Sequence, residues 1–538
     1  MAFNFFIICL FFTRCFIYLN EQNSKSGKCT KEDPCDYLSD VFNVSLPNSS
    51  EIHILDNSIY ANQTQIFTDL IYLCAKNKIK LFGQNQTINF LNSPFEFSNE
   101  HTLYLENFTF FSIESLLLQS NNSKIYFEAT TFSHFKSQIM NVANSNIGLK
   151  SCLFIHNIVK NYNLLKIYKS DIYFANCSFQ SFSQFPQFRH PIIYLNVSKS
   201  LFQLCNFTGN YINSAFFKSS NSESSFINCF LNKNGGNFFF KCISQSTSVF
   251  NNCEFIENSC LLFHIIYSNF SMKNASISHN CMPDPFFLFY KSHSVFFRSN
   301  FLYNSCGPIL NSSNSEIELM ECNFRNNISP TDLISIDSGK ISINSSLWIN
   351  TTTAYGSSIS SNMAAFYISN STFNYSYSRI CGASIHARDT EFKSISNFFY
   401  NSKSLQKGLS ICLIDCQHNT FKINRTTFKN DQNEIFFSIY SDQCTGTIQD
   451  SFFSRAIDDE IPISLHENCF NCSFQQISKD KIETEIIDYS VFIDTVDDTY
   501  RNIKILLMFI MIFAIICTLF FRRNVRICFH RITRKRHN

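Results

Sequence analysis

Residues that could do acid–base chemistry are few and scattered along this chain. The acidic clusters are Asp458-Asp459-Glu460 and Asp497-Asp498. The 13 histidines form no His-Glu-x-x-His motif, and no Gly-x-Ser-x-Gly motif is present. Cleavage of a polysaccharide needs clustered carboxylates, a metal or a positioned Arg on one surface. The sequence therefore predicts no catalytic residues and no enzyme, with a carbohydrate-active enzyme as the less favoured alternative.

The 23 cysteines offer metal-binding, disulfide or packing chemistry. Cys469-Phe-Asn-Cys472 has the CxxC spacing of half a zinc site, but a second CxxC is missing, so no metal site is predicted. Secretion would allow close pairs such as Cys29/Cys35 and Cys412/Cys416 to form disulfides. A further set recurs in register, and we interpret it either as disulfides between repeats or as buried free thiols. Its members are Cys152, Cys177, Cys205, Cys229 and Cys253.

Charge is balanced, with 43 Lys and Arg against 41 Asp and Glu and a formal net charge of +2. Since nucleic-acid binding requires a basic excess, no nucleic-acid partner is predicted, and no cofactor is predicted either. Phe is unusually frequent at 63 residues, whereas Gly is scarce at 12. The Phe residues fall in register, so packing must determine their placement.

A short phrase recurs about every 24 residues, and it reads small residue (often Cys), x, Phe, x, x, Asn. It stands at 152–157, 205–210, 253–258 and 322–327. The register is weakest around Leu347, where Trp348 is an equally good central residue, and between Phe398 and Phe428. A fixed period of this size predicts a stack of similar supersecondary units. Such stacks more often present a long surface than one deep pocket.

An apolar residue also recurs five positions before each central residue, and a third often stands two positions earlier, as in Ile125-Tyr-Phe127. Alternation of this kind predicts strands, and no run shows a sustained helical period before the C-terminal apolar segment. Short strands at this period predict an all-β parallel β-helix, a solenoid whose equivalent residues stack about 4.8 Å apart. No coil buries its own face, so a long array is required.

Two positions of the phrase are predicted to form structural ladders along the solenoid. Phe over Phe builds a continuous aromatic core, with offset stacking adding to the burial of apolar surface. Asn at the turn bonds neighbouring backbone, tolerates left-handed geometry and bonds its stacked equivalents. A ligand-binding role for these Asn residues is the alternative. The ladder residues are Phe132, Phe154, Phe179, Phe207, Phe255, Phe324, Asn157, Asn210, Asn234, Asn258, Asn304 and Asn327.

The Phe-x-x-Asn phrase resembles that of the chlamydial polymorphic membrane proteins and of related surface families of trichomonad-like parasites. The resemblance covers residues 100–480 and implies a right-handed, pectin-lyase-like β-helix displayed at a cell surface, with adhesion as the usual function. Those families also use a Gly-Gly-Ala-Ile phrase, to which Gly235-Gly236-Asn237-Phe238 and Gly382-Ala383-Ser384-Ile385 are the nearest segments here. A hydrophobic segment and a basic tail stand where those families have an autotransporter barrel, which favours a eukaryotic single-pass protein.

Both ends carry segments typical of secretion and membrane anchoring. Residues 1–20 are mostly apolar and precede a polar stretch, as in a signal peptide. Residues 503–521 are apolar apart from Lys504 and are predicted to form a transmembrane helix, with the basic tail at 522–538 in the cytoplasm. The other predicted divisions are an N-terminal cap with the first coils at 21–99, β-helix repeats at 100–480 and a juxtamembrane stalk at 481–502.

The chain contains 19 Asn-x-Ser/Thr sequons, all N-terminal to the predicted membrane span. Each is a weak signal in an Asn- and Ser-rich chain, and each serves as a glycan acceptor only if the body is secreted. The selected candidates are Asn43, Asn62, Asn85, Asn121, Asn196, Asn269, Asn311, Asn350 and Asn424.

Together these features predict a single-pass type I glycoprotein of the plasma membrane whose extracellular β-helix presents an extended surface. We expect that surface to bind host or extracellular glycans or proteins. The alternatives are a structural surface-coat protein and, less favoured, a pectin-lyase-like carbohydrate-active enzyme. The fold alone does not supply the function.

Overall fold

The computed structural model of the chain describes residues 64–477 with interruptions, the longest at 457–468, and short strands at 16–19, 51–54 and 58–59. This part of the chain forms an all-β parallel solenoid of about 14 turns, with about 24 residues per turn. Strands pair in parallel with the equivalent strands one turn before and one turn after, as Asn146–Lys150 does on both sides. Stacking of successive turns therefore satisfies the backbone polar groups that no single turn could satisfy alone.

Three sheets run along the solenoid, and each turn passes through them in the order C, A, B. In one turn the chain forms Met140–Ala143 in sheet C, Asn146–Lys150 in sheet A and Leu153–Ile155 in sheet B. Side chains alternate between core and surface along each strand, so that Ile147 and Leu149 are buried while their neighbours face outward. This alternation is what gives each sheet a continuous outer face along which a ligand could lie.

The strand bounds follow the three sheets. Strands of sheet A are Phe16–Leu19, Glu51–Ile54, Lys124–Glu128, Asn146–Lys150, Asp171–Ala175, Lys199–Gln203, Glu223–Ile227, Thr247–Asn251, Asn269–Lys273, His293–Phe297, Glu391–Ile395, Thr420–Asn424, Thr445–Gln449 and Cys469–Phe470. Strands of sheet B are Ser58–Ile59, Thr131–Ser133, Leu153–Ile155, Ser178–Gln180, Asn206–Thr208, Phe230–Asn232, Glu254–Ile256, Ser276–Ser278, Asn300–Leu302, Asn323–Arg325, Phe398–Tyr400, Thr427–Lys429, Phe452–Ala456 and Ser473–Ile477. Strands of sheet C are Phe95–Phe97, Leu118–Asn121, Met140–Ala143, Leu165–Tyr168, Ile193–Asn196, Phe287–Tyr290, Ile385–Arg388, Ile411–Ile414 and Ile439–Asp442.

Longer strands bend and serve two sheets. From sheet A into sheet B run Lys80–Ile88 and Thr102–Phe111, and from sheet C into sheet A run Leu310–Met320, Ile334–Asn344 and Ile359–Ser369. Past sheet B, a minor row of strands contains Ile158–Val159, Ser183–Gln184, Cys281–Met282, Ser305–Cys306, Ile328–Ser329 and Lys403–Ser404. Leu347–Thr353 and Thr372–Ser378 extend from sheet B into this row, and Tyr211–Ser220, Gly235–Ile243 and Ser259–Ile266 extend from it into sheet C.

Each turn changes direction at three corners, and at each corner a residue with positive φ precedes a buried residue. The first corner joins sheets C and A, the second joins A and B, and the third follows B. In one turn the pairs are Asn144-Ser145, Ser151-Cys152 and His156-Asn157. A left-handed residue reverses the chain sharply, and the buried residue after it meets its equivalents in the neighbouring turns.

A ladder of serines that the sequence analysis did not predict fills the first corner. Most of these Ser hydroxyls accept a hydrogen bond from the backbone N–H of the Ser one turn earlier, as Ser145 does from Ser123 and Ser170 from Ser145, both at 3.0 Å. The signal was present in the sequence, because these residues stand seven positions before the small residue of the phrase. The members are Ser123, Ser145, Ser170, Ser198, Ser222, Ser246, Ser268, Ser292 and Ser315.

A helix at Thr64–Asn77 contradicts the prediction that no helical period precedes the C-terminal segment. Its buried face includes Leu70, Ile71 and Cys74, and it packs against Thr102–Phe111. The helix packs on the first turns, within the segment 21–99 that was predicted to form the N-terminal cap and the first coils. Its apolar residues form too short a run for their spacing to distinguish a helix from a strand.

No helix in the described part of the chain is both long and apolar enough to cross a membrane. The predicted stalk at 481–502, membrane span at 503–521 and tail at 522–538 lie outside the described residues. Of the predicted signal peptide at 1–20, only Phe16–Leu19 is described, as a strand paired with Glu51–Ile54.

Candidate functional site

The Phe residues selected from the sequence lie inside the solenoid, on sheet B. Rings of Phe132, Phe154, Phe179 and Phe207 stack with centroids 4.8 to 4.9 Å apart. Phe255 continues the column between Leu231 and Ile277, and Phe324 stacks on Phe301 at 4.4 Å. All are buried and none reaches the surface. Their role is therefore packing of the core rather than contact with a ligand.

At the two uncertain places the structure shifts the register by one residue. Trp348, and not Leu347, is buried on Phe324, with ring centroids 3.9 Å apart. Phe399 likewise takes the core position in place of Phe398. Leu347 and Phe398 face outward. In each pair of adjacent apolar residues, the second residue points into the core.

The selected Asn residues fill the third corner, also in the interior. Six consecutive turns each place an Asn here, and the Nδ2 of each of the first five donates to the Oδ1 of the next Asn at 2.9 to 3.1 Å. The Nδ2 of all six also donates to a backbone carbonyl of the preceding turn, as in Asn234 to Phe207 and Asn327 to Phe301. Asn157 stands apart, because Phe182 occupies the corner of the next turn; its Nδ2 donates to the Phe132 carbonyl. The consecutive members are Asn210, Asn234, Asn258, Asn280, Asn304 and Asn327.

The left-handed geometry expected of these Asn residues belongs instead to the residue before each of them. His156, Lys233, Glu257 and Tyr303 have positive φ, whereas the buried Asn that follows each does not. A buried amide needs both of its polar ends bonded, and the ladder supplies a partner to each. These side chains are consequently saturated and have no free group for a ligand.

The sequons selected from the sequence are spread over several environments. Asn43 and Asn62 lie outside the described residues, and Asn85 lies in Lys80–Ile88. Asn121, Asn269 and Asn350 are exposed, whereas Asn196, Asn311 and Asn424 are half-buried. The abundance of sequons has a structural source. At several corners an Asn with positive φ is followed by a buried small residue and then by a Ser or Thr of the next strand, and these three consecutive residues form a sequon. Exposed cases of this kind are Asn176, Asn274 and Asn370.

The cysteines separate into two groups. The in-register set from Cys152 to Cys253 consists of buried free thiols, each donating to a backbone carbonyl two residues earlier, as in Cys152 to Lys150. A hydrogen bond from Cys177 and then burial raise the pKa of Cys205 to about 12, so this thiol is unreactive. A disulfide joins Cys381 to Cys412, which the sequence analysis had paired with Cys416. Cys472 of the CxxC lies outside the described residues.

The outer face of sheet A carries a groove of about 670 Å³, which we name the tyrosine groove. Its floor is one column of outward residues on successive turns: Tyr104, Tyr126, Gly148, Tyr173, Leu201 and Ser225. Tyr126 and Tyr173 are 37% and 39% exposed, so each ring shows a face to solvent. The groove runs along the solenoid axis and crosses the strands.

Gly148 gives the groove its shape. A Cβ at this position would lie 2.7 Å from Cδ1 of Tyr126, so the Tyr126 ring lies over the glycine backbone. The strand positions of Tyr126 and Tyr173 are two turns apart, about 9.6 Å along the axis, with Gly148 between them. Two aromatic rings thus stand along one open channel. The sequence signal was a Tyr six positions before the central Phe, and the sequence analysis missed it.

Charged residues border the tyrosine groove on both sides. Glu128 and Lys150 form one border, with Lys150 Nζ 2.5 Å from Glu128 Oε1. Asp171, Lys199 and Glu223 form the other, with Lys199 Nζ 3.2 Å from Glu223 Oε2. The groove therefore offers aromatic faces in the middle and hydrogen-bonding groups at both edges.

The electrostatics of Glu128 decide what chemistry the border can do. Hydrogen bonds from Lys150 and then from Tyr104 hold the pKa of the Glu128 carboxyl below its usual range. Burial, followed by the hydrogen bond to Glu128, raises the pKa of Tyr104. An ionised Glu128 cannot serve as a general acid near neutral pH, but it can accept hydrogen bonds from a ligand.

One cluster of metal-ligand residues stands elsewhere on sheet A. Ligand atoms of His293, Glu316 and Glu318 lie within 4.8 Å of one another. Glu316 is already paired with Lys340 Nζ at 2.6 Å and with His293 Nδ1 at 3.4 Å. These contacts satisfy the cluster as an ion-pair network on the surface.

The chain is similar to several solved structures. One is a rhamnogalacturonan lyase, at 12% identity and a TM-score of 0.29, covering 59% of this chain and 82% of that chain. Another is the Streptococcus pneumoniae surface protein and adhesin PfbA, at 10% identity and a TM-score of 0.27, covering 67% and 98%. A third is a PL6 alginate lyase in complex with a trisaccharide, at 9% identity and a TM-score of 0.29, covering 82% and 98%. No protein-family model and no curated protein matches the chain, so membership of the chlamydial or trichomonad families is not shown.

The prediction that the chain is not an enzyme is contradicted by these comparisons. Most of the similar solved structures are polysaccharide lyases and epimerases, so enzymatic activity belongs among the functions to be measured. At identities of 8% to 12% they assign neither a substrate nor a catalytic residue to this chain.

Proposed function

We propose that this protein is a surface-displayed β-solenoid that binds a carbohydrate chain along the tyrosine groove. The observation that carries the proposal is the pair of partly exposed rings, Tyr126 and Tyr173, on strands two turns apart in one column, with the Tyr126 ring lying over Gly148 between them. Sugar rings have apolar C–H faces that pack on aromatic faces, and equatorial hydroxyls that bond polar groups at the edges. The tyrosine groove has aromatic faces between charged borders, so it can contact both the C–H faces and the hydroxyls of a sugar.

The charged borders favour a carbohydrate over an apolar ligand. Glu128, Lys150, Asp171 and Glu223 would all be desolvated without compensation by a lipid or an apolar peptide. A carbohydrate offers hydroxyls that donate to the carboxylates and accept from the lysines. The groove is open along the axis, so the proposed ligand is a chain that lies across several turns rather than a single sugar.

The wider setting stays part of the same proposal. The right-handed winding, the signal peptide, the type I orientation with one span in the plasma membrane and the glycosylated extracellular body are predictions from the sequence. They place the groove outside the cell, where host or extracellular glycans or glycoproteins would meet it. If the groove binds a long polysaccharide outside the cell, the function that we propose is adhesion. The competing function is that of a surface coat that binds no ligand.

The test is glycan binding by the full-length protein and by the double variant Tyr126→Ala/Tyr173→Ala. Loss of two stacking platforms should weaken binding of the best glycan at least about tenfold, since each aromatic contact contributes about 1 kcal/mol or more. Tyr303→Ala is the matched control, because Tyr303 is 52% exposed on a different corner and should leave the affinity unchanged.

Two results would remove the proposal. One is an array of neutral and acidic glycans to which the full-length protein binds nothing; the other is equal binding by the groove variant and the wild type. Turnover of each bound polysaccharide is measured in the same samples. Chain cleavage that the groove variant loses would show that the groove is an active site as well as a binding site.

A further inference from the structure

A column of basic and aromatic side chains runs along the outer face of sheet C. Lys166, Tyr194, Lys218, Lys241 and His264 stand in register on five consecutive turns. The column is about 19 Å long at about 4.8 Å per turn. We name it the sheet C column, and it lies on a different sheet from the tyrosine groove.

The cations of the sheet C column have no carboxylate partner. No ion pair in the described part of the chain involves Lys166, Lys218 or Lys241, and the five strands that carry the column contain no Asp or Glu. Some lysines on other faces pair with a carboxylate one turn away, as Lys199 does with Glu223 and Lys233 with Glu257. The three lysines of the sheet C column have no such pair in the described part of the chain.

A bulge builds an aromatic shelf beside the column. The register of Gly235–Ile243 shifts between Gly235 and Phe238, and Phe238 packs on the outside of the strand. Its ring stacks on His264 at 5.3 Å and lies 5.5 Å from Lys241 Nζ. Lys218 Nζ lies 5.6 Å from the Tyr194 ring in the same way. Bulges redirect side chains, and this one adds an apolar wall to a row of cations.

The free protein carries an electrostatic cost at this column. Lys218 and Lys241 are directly opposed on neighbouring strands, and like charges in that position are destabilising. Burial and then the charge of Lys218 lower the pKa of Lys241. Burial and then the charge of Lys241 lower the pKa of His264 to about 4, so the imidazole is neutral. A bound anion would relieve the repulsion between the two lysines.

We propose that the sheet C column binds an acidic polysaccharide, whose carboxylates or sulfates pair with Lys166, Lys218 and Lys241 while its sugar rings pack on Tyr194 and Phe238. The three lysines are separated by one or two turns along the column. This spacing suits a polymer with regularly repeated charges. The half-buried rings provide apolar contact between the charges. His264 contributes its ring, which stacks on Phe238, whereas its Nδ1 is buried and has no hydrogen-bond partner in the described part of the chain.

An acidic polysaccharide fits this column better than a nucleic acid does. Three lysines neutralise few phosphates, the row contains no Arg, and the whole chain has a net charge of only +2. Nucleic acid is accordingly the competing outcome of the experiment.

The experiment measures binding of polygalacturonate and of dextran sulfate to the full-length protein, with methyl-esterified polygalacturonate and plain dextran as uncharged counterparts. The double variant Lys218→Gln/Lys241→Gln should bind the charged polymers at least about tenfold more weakly, since charge-assisted contacts contribute about 1.5 kcal/mol or more each. Lys233→Gln/Lys340→Gln removes the same charge from lysines already paired with Glu257 and Glu316, and should retain binding.

Each arm has an outcome against the proposal. Equal weakening by the control variant, equal binding of the uncharged polymers, or no binding of either charged polymer overturns it. Tighter binding of a single-stranded DNA oligomer assigns the column to nucleic acid instead. Tyr126→Ala/Tyr173→Ala should leave polygalacturonate binding intact; if it abolishes that binding, the polymer belongs to the tyrosine groove and the sheet C column is not its site.

Discussion

Two regions of the solenoid fill the same third corner with different chemistry. Between residues 210 and 327 the corner holds the ladder of six Asn residues, which we call the asparagine corner. Between residues 351 and 410 it holds buried hydroxyls, which we call the hydroxyl corner. Its members include Thr351, Thr353, Ser357, Ser358, Ser376, Ser378, Ser384, Ser402, Ser404 and Ser410.

The difference lies in how regularly each network repeats. An amide carries a donor and an acceptor on one planar group, so identical Asn residues bond to one another from turn to turn. The hydroxyls bond across turns in some places, as Thr353 Oγ1 does to the Tyr377 carbonyl at 3.1 Å, and within a turn in others, as Thr351 Oγ1 does with Ser358 Oγ at 2.7 Å, so no single pattern recurs. The Cys381–Cys412 disulfide and the carboxylate of Asp332, which accepts from the Ser357 N–H, adjoin the hydroxyl corner. The regular Asn network therefore links successive turns by hydrogen bonds alone, whereas a disulfide accompanies the irregular hydroxyl network.

Breaking the asparagine corner should have the largest effect. Asn258→Ala removes the amide that accepts from the N–H and Nδ2 of Asn234 and donates to the Leu231 carbonyl and to Asn280. Several buried groups lose their partners at once, so the free energy of unfolding should fall by about 3–5 kcal/mol. Chemical denaturation followed by circular dichroism measures the change.

The control for this variant is Asn300→Ala, which removes a half-exposed Asn that faces outward on sheet B. Its cost should stay within about 0.5 kcal/mol. Ser376→Ala in the hydroxyl corner should cost about 1 kcal/mol, because few groups depend on that hydroxyl. Equal losses for Asn258→Ala and Ser376→Ala would contradict the distinction between the two corners.

The sequence predicted the repeating parts of this molecule and missed the irregular ones, for a physical reason. A residue such as Phe154 or Asn258 recurs in register, and recurrence reveals a packing role even without coordinates. Leu347 and Trp348 fit the period equally well, and the disulfide partner of Cys412 has no periodic equivalent, so only the three-dimensional structure assigns the core residue and the disulfide.

The tyrosine groove and the sheet C column each combine features that recur in register with features that do not. Tyr126 and Tyr173 recur six positions before the central Phe, but the groove depends on a gap at Gly148 that no period predicts. The sheet C column was hidden because its strands start at variable distances after the third corner. A balanced total charge also concealed that Lys218 and Lys241 stand together without a carboxylate.

A smaller effect is expected from the carboxyl group of the hydroxyl corner. Burial raises the pKa of Asp332 from 3.8 to about 6, although its Oδ1 accepts from the Ser357 N–H at 2.7 Å. A raised folded-state pKa means that the folded state binds the proton more tightly. Stability should therefore be highest below about pH 4, fall as the pH rises to about 6, and then remain level, with a total loss of about 3 kcal/mol.

Asp332→Asn retains the acceptor for Ser357 and removes the charge, so the fall between pH 4 and 6 should disappear. Above pH 6 this variant should be more stable than the wild type by up to about 3 kcal/mol. Asp337→Asn, which changes an exposed carboxylate on the strand that follows Asp332, controls for general charge effects. Identical pH profiles for the wild type and Asp332→Asn would show that the corner does not bury this charge.

The smallest effect is expected at the boundary between the two regions, where Trp348 replaces the Phe of the central stack. Its ring lies between Phe324 and Phe373, with centroids 3.9 and 5.4 Å away, and its buried Nε1–H has no hydrogen-bond partner in the described part of the chain. Trp348→Phe loses some packed volume but also removes an unsatisfied donor. The two terms oppose each other, so the free energy of unfolding should change by less than about 1 kcal/mol.

Circular dichroism is the appropriate measurement for this variant, because Trp348 is the chain's one tryptophan and its removal abolishes the tryptophan fluorescence. Phe324→Leu is the comparison, since it disturbs the same stack without relieving any polar group and should cost more than Trp348→Phe. A loss of 3 kcal/mol or more on Trp348→Phe would mean that volume, and not the unpaired N–H, governs this position. The stack would then be continuous across the boundary, and the contrast between the two regions would be confined to their corners.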